Sequence, residues 1–148
     1  MKVIPFHREH LKLIEAREYE RDHLIPFLTD GFLDRIEQLP FSYTVFEDGR
    51  VITCIGCLPL WPGVLEAWQI PSVYVAEYLR PYCRTIRGLL DGAAERTEVW
   101  RIQTFSPADE LHDRWMAFIG FEVEGTLKEY SRLKKDYRIW ARRYNYGR

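Results

Sequence analysis

Apolar and polar positions alternate with two different periods along this chain, and the switches between them divide it into elements. "KVIPF", near the start, is a short apolar run and reads as a first strand. "HREHLKLIEAREYERDHLI" (7–25) then places Leu11, Ile14 and Glu18 or Tyr19 at helical spacing, and Pro26 closes that helix. "TDGFLDRIEQLP" (29–40) sets Phe32, Leu33, Ile36 and Leu39 on one side of a second, shorter helix that ends at Pro40. "FSYTVFEDGRVITCIGCLPL" (41–60) reads as a hairpin, with aromatic and β-branched residues on either side of an Asp48-Gly49 turn. "WPG" makes a further turn, and "VLEAWQI" (64–70) follows as the fourth strand.

The second half repeats the alternation of period. "VYVAEYLRPYCRTIRGLLDGAAERTE" (73–98) is a long helical region, with Pro81 tolerated in the first turn of its main helix. "VWRIQTF" (99–105) alternates as a strand. "SPADELHDRWMAFIG" (106–120) reads as a helix capped by Ser106, with Pro107 at its first position and acids in its first turn. Leu111, Trp115 and Phe118 or Ile119 form its apolar stripe. Gly120 can take the left-handed conformation that ends a helix, and Phe121 then opens a strand into the core. "FEVEGTLKEYSRL" and "DYRIWARRY" are two late strands around a polar turn at Lys134, Lys135 and Asp136. The order β-α-α-β-β-β-α-β-α-β-β predicts an α/β protein, a mixed sheet of about seven strands flanked by about four helices. The 148 residues fit one domain, 1–148.

Composition narrows the choice of function. The chain is 47% hydrophobic and 15% aromatic, enough to build a core. Its 21 basic and 22 acidic residues leave a net charge of −1, which offers no global case for nucleic acid or an anionic membrane. No apolar run approaches the roughly 18 residues of a membrane span. The opening "MKVIPFHREH" has no signal-peptide core, which predicts a cytoplasmic protein or one held in a particle assembled in the cytoplasm. Cys54 and Cys57 have redox or half-zinc spacing, but they lie on a strand rather than at a helix start. No second pair completes a metal site, so buried structural thiols are expected. His7, His10, His23 and His112 lack an acidic partner set and are read as surface residues. In the tail, Arg138, Arg142, Arg143 and Arg148 stand beside Tyr144 and Tyr146. That mixture can stack and hold single-stranded nucleic acid, but a last strand with one solvated face or a partner-binding edge accounts for it more simply. Trp61 reads as a contact residue exposed on its turn or, equally, as one tucked under the sheet.

The element order, together with Gly120, Phe121 and Gly125 in "FIGFEVEG", resembles the GNAT (GCN5-related N-acetyltransferase) superfamily. In that family a late helix ends on a glycine followed by an aromatic residue, and a hairpin closes the sheet. The resemblance implies a GNAT-like fold and acetyl-CoA as cofactor, with transfer of the acetyl group to an amine. It also implies a glycine-rich loop before the third helix whose amides cradle the pyrophosphate. Here no glycine lies between Gly63 and Gly88. "PSVYVAEYLRPYCRTIR" (71–87) carries Pro71, Tyr74, Tyr78, Pro81 and Tyr82 instead. The cofactor-binding candidates are therefore Gln69 and Ile70 on the fourth strand and Arg80, Arg84 and Arg87, which could hold anions by side chain. Those arginines read equally as a solvated helix face.

The family's tyrosine, four residues before the helix-ending glycine, protonates the departing thiolate. Met116 stands there and cannot donate a proton. The family's frequent asparagine earlier in the helix falls at Asp109. Glu66, the one ionisable residue of "VLEAWQI", is the candidate catalytic base; an edge-facing or salt-bridged glutamate is the alternative. Glu47 reads as a turn residue. Two functions follow: an acetyltransferase-like fold that has lost catalysis and acts as a structural, binding or assembly component with protein partners or itself, or an active N-acetyltransferase. The absent glycine loop and tyrosine favour the first. The Trp68-to-Leu90 region and "FIG" are also similar to small GNAT-like proteins of tailed phages, which implies a part in virion assembly.

Overall fold

The computed structural model describes residues 1–146. Seven strands form one mixed sheet in the order β1-β2-β3-β4-β5-β7-β6. They are β1 (Lys2–Pro5), β2 (Ser42–Glu47), β3 (Arg50–Trp61), β4 (Val64–Pro71), β5 (Arg101–Pro107), β6 (Glu122–Leu127) and β7 (Tyr137–Arg143). The α-helices are α1 (Asp30–Gln38), α2 (Leu79–Thr97) and α3 (Glu110–Ile119). This is the mixed α/β architecture expected from the pattern. Contacts gather the chain into two compact units, Met1–Leu58 with Trp68–Tyr82, and Pro59–Ala67 with the chain from Cys83 on. Among the described residues no helix is long and apolar enough to cross a membrane.

In the first unit, β1, β2 and β3 pair antiparallel. Asp48 (φ 51°) and Gly49 (φ 74°) both take the left-handed conformation that a two-residue hairpin demands. Thr29 caps α1 by accepting from the Phe32 amide at 3.1 Å, and Ile36 is fully buried beneath it. Phe6, Ile14, Ile36, Val51, Cys54 and Ile70 form one core cluster. The helix expected over 7–25 is built differently. Arg8–Lys12 is a 3-10 turn opened by reciprocal capping between His7 and His10, Glu20–Leu24 is a π turn, and Ile25–Phe27 is another 3-10 turn. Pro26 therefore lies inside the last turn rather than beyond the helix. The reason is tertiary. The Glu15 carbonyl accepts from the Val73 amide at 2.9 Å, and Ala16 pairs antiparallel with Ser72. Backbone bound outward in this way cannot continue a helix.

In the second unit, β5, β7 and β6 form an antiparallel ladder, and β4 joins β5 in parallel. β5 begins two residues later than its apolar pattern and runs through Ser106 and Pro107, so Ser106 does not cap α3. That role falls to Asp109, whose carboxylate accepts from the His112 amide at 2.9 Å. The buried Ser106 hydroxyl instead receives the indole N–H of Trp140 at 2.8 Å. The inward residues of α3 are Met116 and Ile119, whereas Leu111 and Phe118 are exposed. Gly120 ends the helix at φ 95°, and Phe121 is buried.

Candidate active site and its departures

β4 and β5 run parallel, yet their ladder holds only Val64↔Arg101, Leu65↔Ile102 and Glu66↔Gln103. One step further the Thr104 hydroxyl donates to the Ala67 carbonyl at 2.9 Å, a side chain standing where a backbone bond would be. Glu66 is half-buried at the last paired position and accepts a long 3.4 Å bond from the Gln103 amide. The Gln103 carbonyl in turn accepts from Arg101 Nε at 3.0 Å. Arg101 is clamped two-pronged by Glu124 at 2.6 and 2.9 Å. The Arg101 guanidinium holds the Glu124 carboxyl below its usual range, chiefly through that hydrogen bond. Glu66 thus ends a chain of four polar side chains with most of its acceptor capacity unused. Alternation along β5 puts Arg101 and Gln103 on one face, the one signal in the sequence that could have found them.

The remaining cofactor candidates lie around the passage from β4 into α2. Gln69 donates from its amide to the hydroxyl of Tyr82, which is 1% exposed. Ile70 is a core side chain whose carbonyl accepts from the Thr53 hydroxyl at 3.2 Å. Arg80, Arg84 and Arg87 lie along the exposed side of α2 and make no side-chain hydrogen bond or ion pair among the described residues.

Where a phosphate cradle would need open, glycine-bearing backbone, Val75–Tyr78 forms a 3-10 turn that runs straight into α2. Pro81 sits in the first turn of α2, as its missing N–H allows. The turn is tied down by its side chains. The Tyr74 hydroxyl donates to Glu15, and the Tyr78 hydroxyl donates to Asp48 at 2.8 Å. Arg50 donates to Glu77 at 3.3 Å and lies over the Tyr74 ring. Both tyrosines are held above their usual range, first by these bonds to carboxylates. Glu15, Asp48 and Arg50 are thus bonded to the segment, and its own Glu77 is bonded to Arg50.

Met116, at the position of the family's acid, is 9% exposed, and Asp109 is spent on capping α3. Burial pushes the Cys54 thiol up to about 11 and the Cys57 thiol up to about 12, as expected of structural cysteines. No cluster among the described residues could hold a metal ion. Trp61 is 61% exposed, at the end of β3 rather than on the turn that follows it, and Arg148 lies outside the described residues.

A parallel β4–β5 pair that stops short, with α2 between the strands and a glycine-ended α3 leading into a closing hairpin, defines the acetyltransferase fold of the GNAT type. Solved structures agree. Ard1 from Thermoplasma volcanium superposes with a TM-score of 0.72 at 13% identity, over 96% of each chain. A ribosomal-protein-alanine N-acetyltransferase from Brucella melitensis gives 0.72 at 16% identity, over 97% of this chain and 100% of the other. A GNAT-family acetyltransferase from Bacillus anthracis gives 0.69 at 12% identity, over 95% and 93%. No protein-family model matches the chain, and no curated protein matches it.

Proposed function

We propose that this GNAT-fold protein no longer transfers acetyl groups and serves as a binding or assembly component. The observation that carries this reading is the segment from Tyr74 to Tyr78, wound into a 3-10 turn and pinned by Glu15, Asp48 and Arg50. A pyrophosphate brought there would find no open glycine backbone, so access opposes it; the three carboxylates of Glu15, Asp48 and Glu77 repel its charge, while Arg80, Arg84 and Arg87 along α2 attract it. The buried Met116 adds to the case, since a thiolate leaving group would have no donor at that position. A place in a tailed-phage particle draws support from the sequence resemblance of the Trp68-to-Leu90 region. Such a component co-purifies with its particle in fixed stoichiometry.

The second reading, an acetyl-CoA-dependent N-acetyltransferase with Glu66 as base, is favoured by the short β4–β5 ladder and the lightly bonded Glu66 carboxylate. Thermal unfolding with millimolar acetyl-CoA, CoA or no ligand separates the two. A ligand at one hundred times its Kd would add about 2.7 kcal/mol, several degrees in Tm for a chain of this size. We expect no displacement. A clear upward shift, with turnover abolished in Glu66→Gln, would overturn the component reading.

A further inference from the structure

The start of the chain holds a polar cluster that neither reading of function uses. His10, read from the sequence as a surface residue, is half-buried against β2. Its ring makes edge contacts with Phe6 at 6.2 Å and Phe46 at 5.9 Å. Its Nδ1 accepts from the His7 backbone amide at 3.1 Å and lies 2.7 Å from the Thr44 hydroxyl. Thr44 is fully buried and lies in turn 3.7 Å from the Cys54 thiol.

The donors fix the protonation of this chain of groups. A backbone N–H can only donate. Nδ1 therefore carries no proton, and the ring is neutral with its proton on Nε2. The Thr44 hydroxyl then donates to Nδ1 and accepts from the Cys54 thiol. A proton added at Nδ1 acts unequally on the two partners. The hydroxyl can turn round, accepting from the new N–H and donating to sulfur. The His7 amide cannot, so two N–H groups are left facing each other. That amide opens the 8–12 turn, and the next residue, Arg8, ties the turn to α1 through Glu37 and Asp34.

Among the described residues no carboxylate is bonded to His10 to offset such a charge. On its own turn Glu9 is paired with Lys12 at 2.8 Å. On α1, Asp30 and Asp34 face Arg8, and Glu37 bonds Arg8 and lies 3.5 Å from His7 Nε2. β2 and β3 present Thr44, Phe46 and Cys54, and Glu47 is paired with the N-terminal amine at 3.1 Å. β1 adds a cation, Lys2, across from Phe46. Burial first, and then the nearby His7, hold His10 below its ordinary pKa. A lowered folded pKa favours the neutral ring. The stability it confers is complete above the unfolded value of about 6.5 and is lost as pH falls below it toward the folded value.

We propose that His10 is an acid-operated latch, in which a proton at Nδ1 displaces the His7 amide and loosens the start of the 8–12 turn with its Arg8 tie to α1. The latch uses neither Glu66 nor the Tyr74–Tyr78 segment, so it stands whichever reading of function holds. The test is an NMR pH titration of the whole chain, following the His10 ring nitrogens and amide hydrogen exchange. At neutral pH the His10 proton should sit on Nε2. Between about pH 7 and about pH 5, protection of the His7 amide should fall about fivefold or more relative to the Phe6 amide, which is bonded to the Ser42 carbonyl at 2.9 Å. His10→Asn supplies an acceptor that does not titrate, so the acid step at the position-7 amide should vanish. His7→Asn, which likewise keeps an acceptor for the Glu9 amide, should leave the step in place. A neutral His10 protonated on Nδ1, unchanged protection in acid, or a step that survives His10→Asn or disappears with His7→Asn would each overturn the proposal. The first two outcomes are read on the unmodified protein and need neither variant to fold.

Discussion

Gly56→Ala is expected to lower the stability of the protein by about 3–4 kcal/mol, roughly 10 °C in Tm for a chain of this length. A Cβ at residue 56 would lie 2.6 Å from the Phe41 carbonyl oxygen and 2.7 Å from Trp68 Nε1. That carbonyl accepts from the Cys57 amide at 2.9 Å, and Ser42 and Gly56 are partners across β2 and β3. Relief by moving the backbone therefore breaks a ladder bond. Relief by moving Trp68 disturbs its edge contacts with Phe6 at 5.5 Å and Phe32 at 6.3 Å. Gly49→Ala is the control. Its φ of 74° carries the left-handed strain, but nothing lies within 4 Å of the added methyl, so about 1 kcal/mol should be lost. Urea or thermal unfolding of the two variants measures the difference. Equal losses would mean that crowding at Gly56 is not what limits that site.

Trp140→Ala should cost a similar amount, about 3–5 kcal/mol. Its side chain is 5% exposed in β7, and its indole is bonded to Ser106. Trp140→Phe isolates the polar part of that loss, because a phenyl ring retains most of the packing and leaves the Ser106 hydroxyl without its donor. A double-mutant cycle of Trp140→Phe with Ser106→Ala should return a coupling of about 1 kcal/mol. Additive losses would show that the hydrogen bond contributes nothing net.

Ser106 also marks where sequence patterns stop being informative. Serine followed by proline and acids is a sound helix start in local terms, but a tryptophan 34 residues away takes up the hydroxyl and draws the chain into β5. Residues 13–18 follow the same logic, since their helical spacing is overridden by pairing with residues 72 and 73. Signals confined to a few residues were legible. Thr29 caps α1, Asp48-Gly49 turns the hairpin, and Gly120 followed by a buried Phe121 closes α3 into β6. At the candidate site, the missing glycines and Met116 could be read directly. What holds the Tyr74–Tyr78 segment could not, because Glu15 is 59 residues from Tyr74 and Asp48 is 30 residues from Tyr78. Such partners come together only once the sheet exists.

The buried thiols of β3 have a practical consequence. Alkylating reagents attack the thiolate, and burial raises Cys54 to about 11 and Cys57 to about 12. Near pH 8 only about one Cys54 in a thousand is ionised in the closed state, and fewer of Cys57. Labelling of these two positions is therefore gated by exposure of β3. Its rate is a clock for opening of the first unit, read by mass spectrometry on the unmodified protein with no probe introduced.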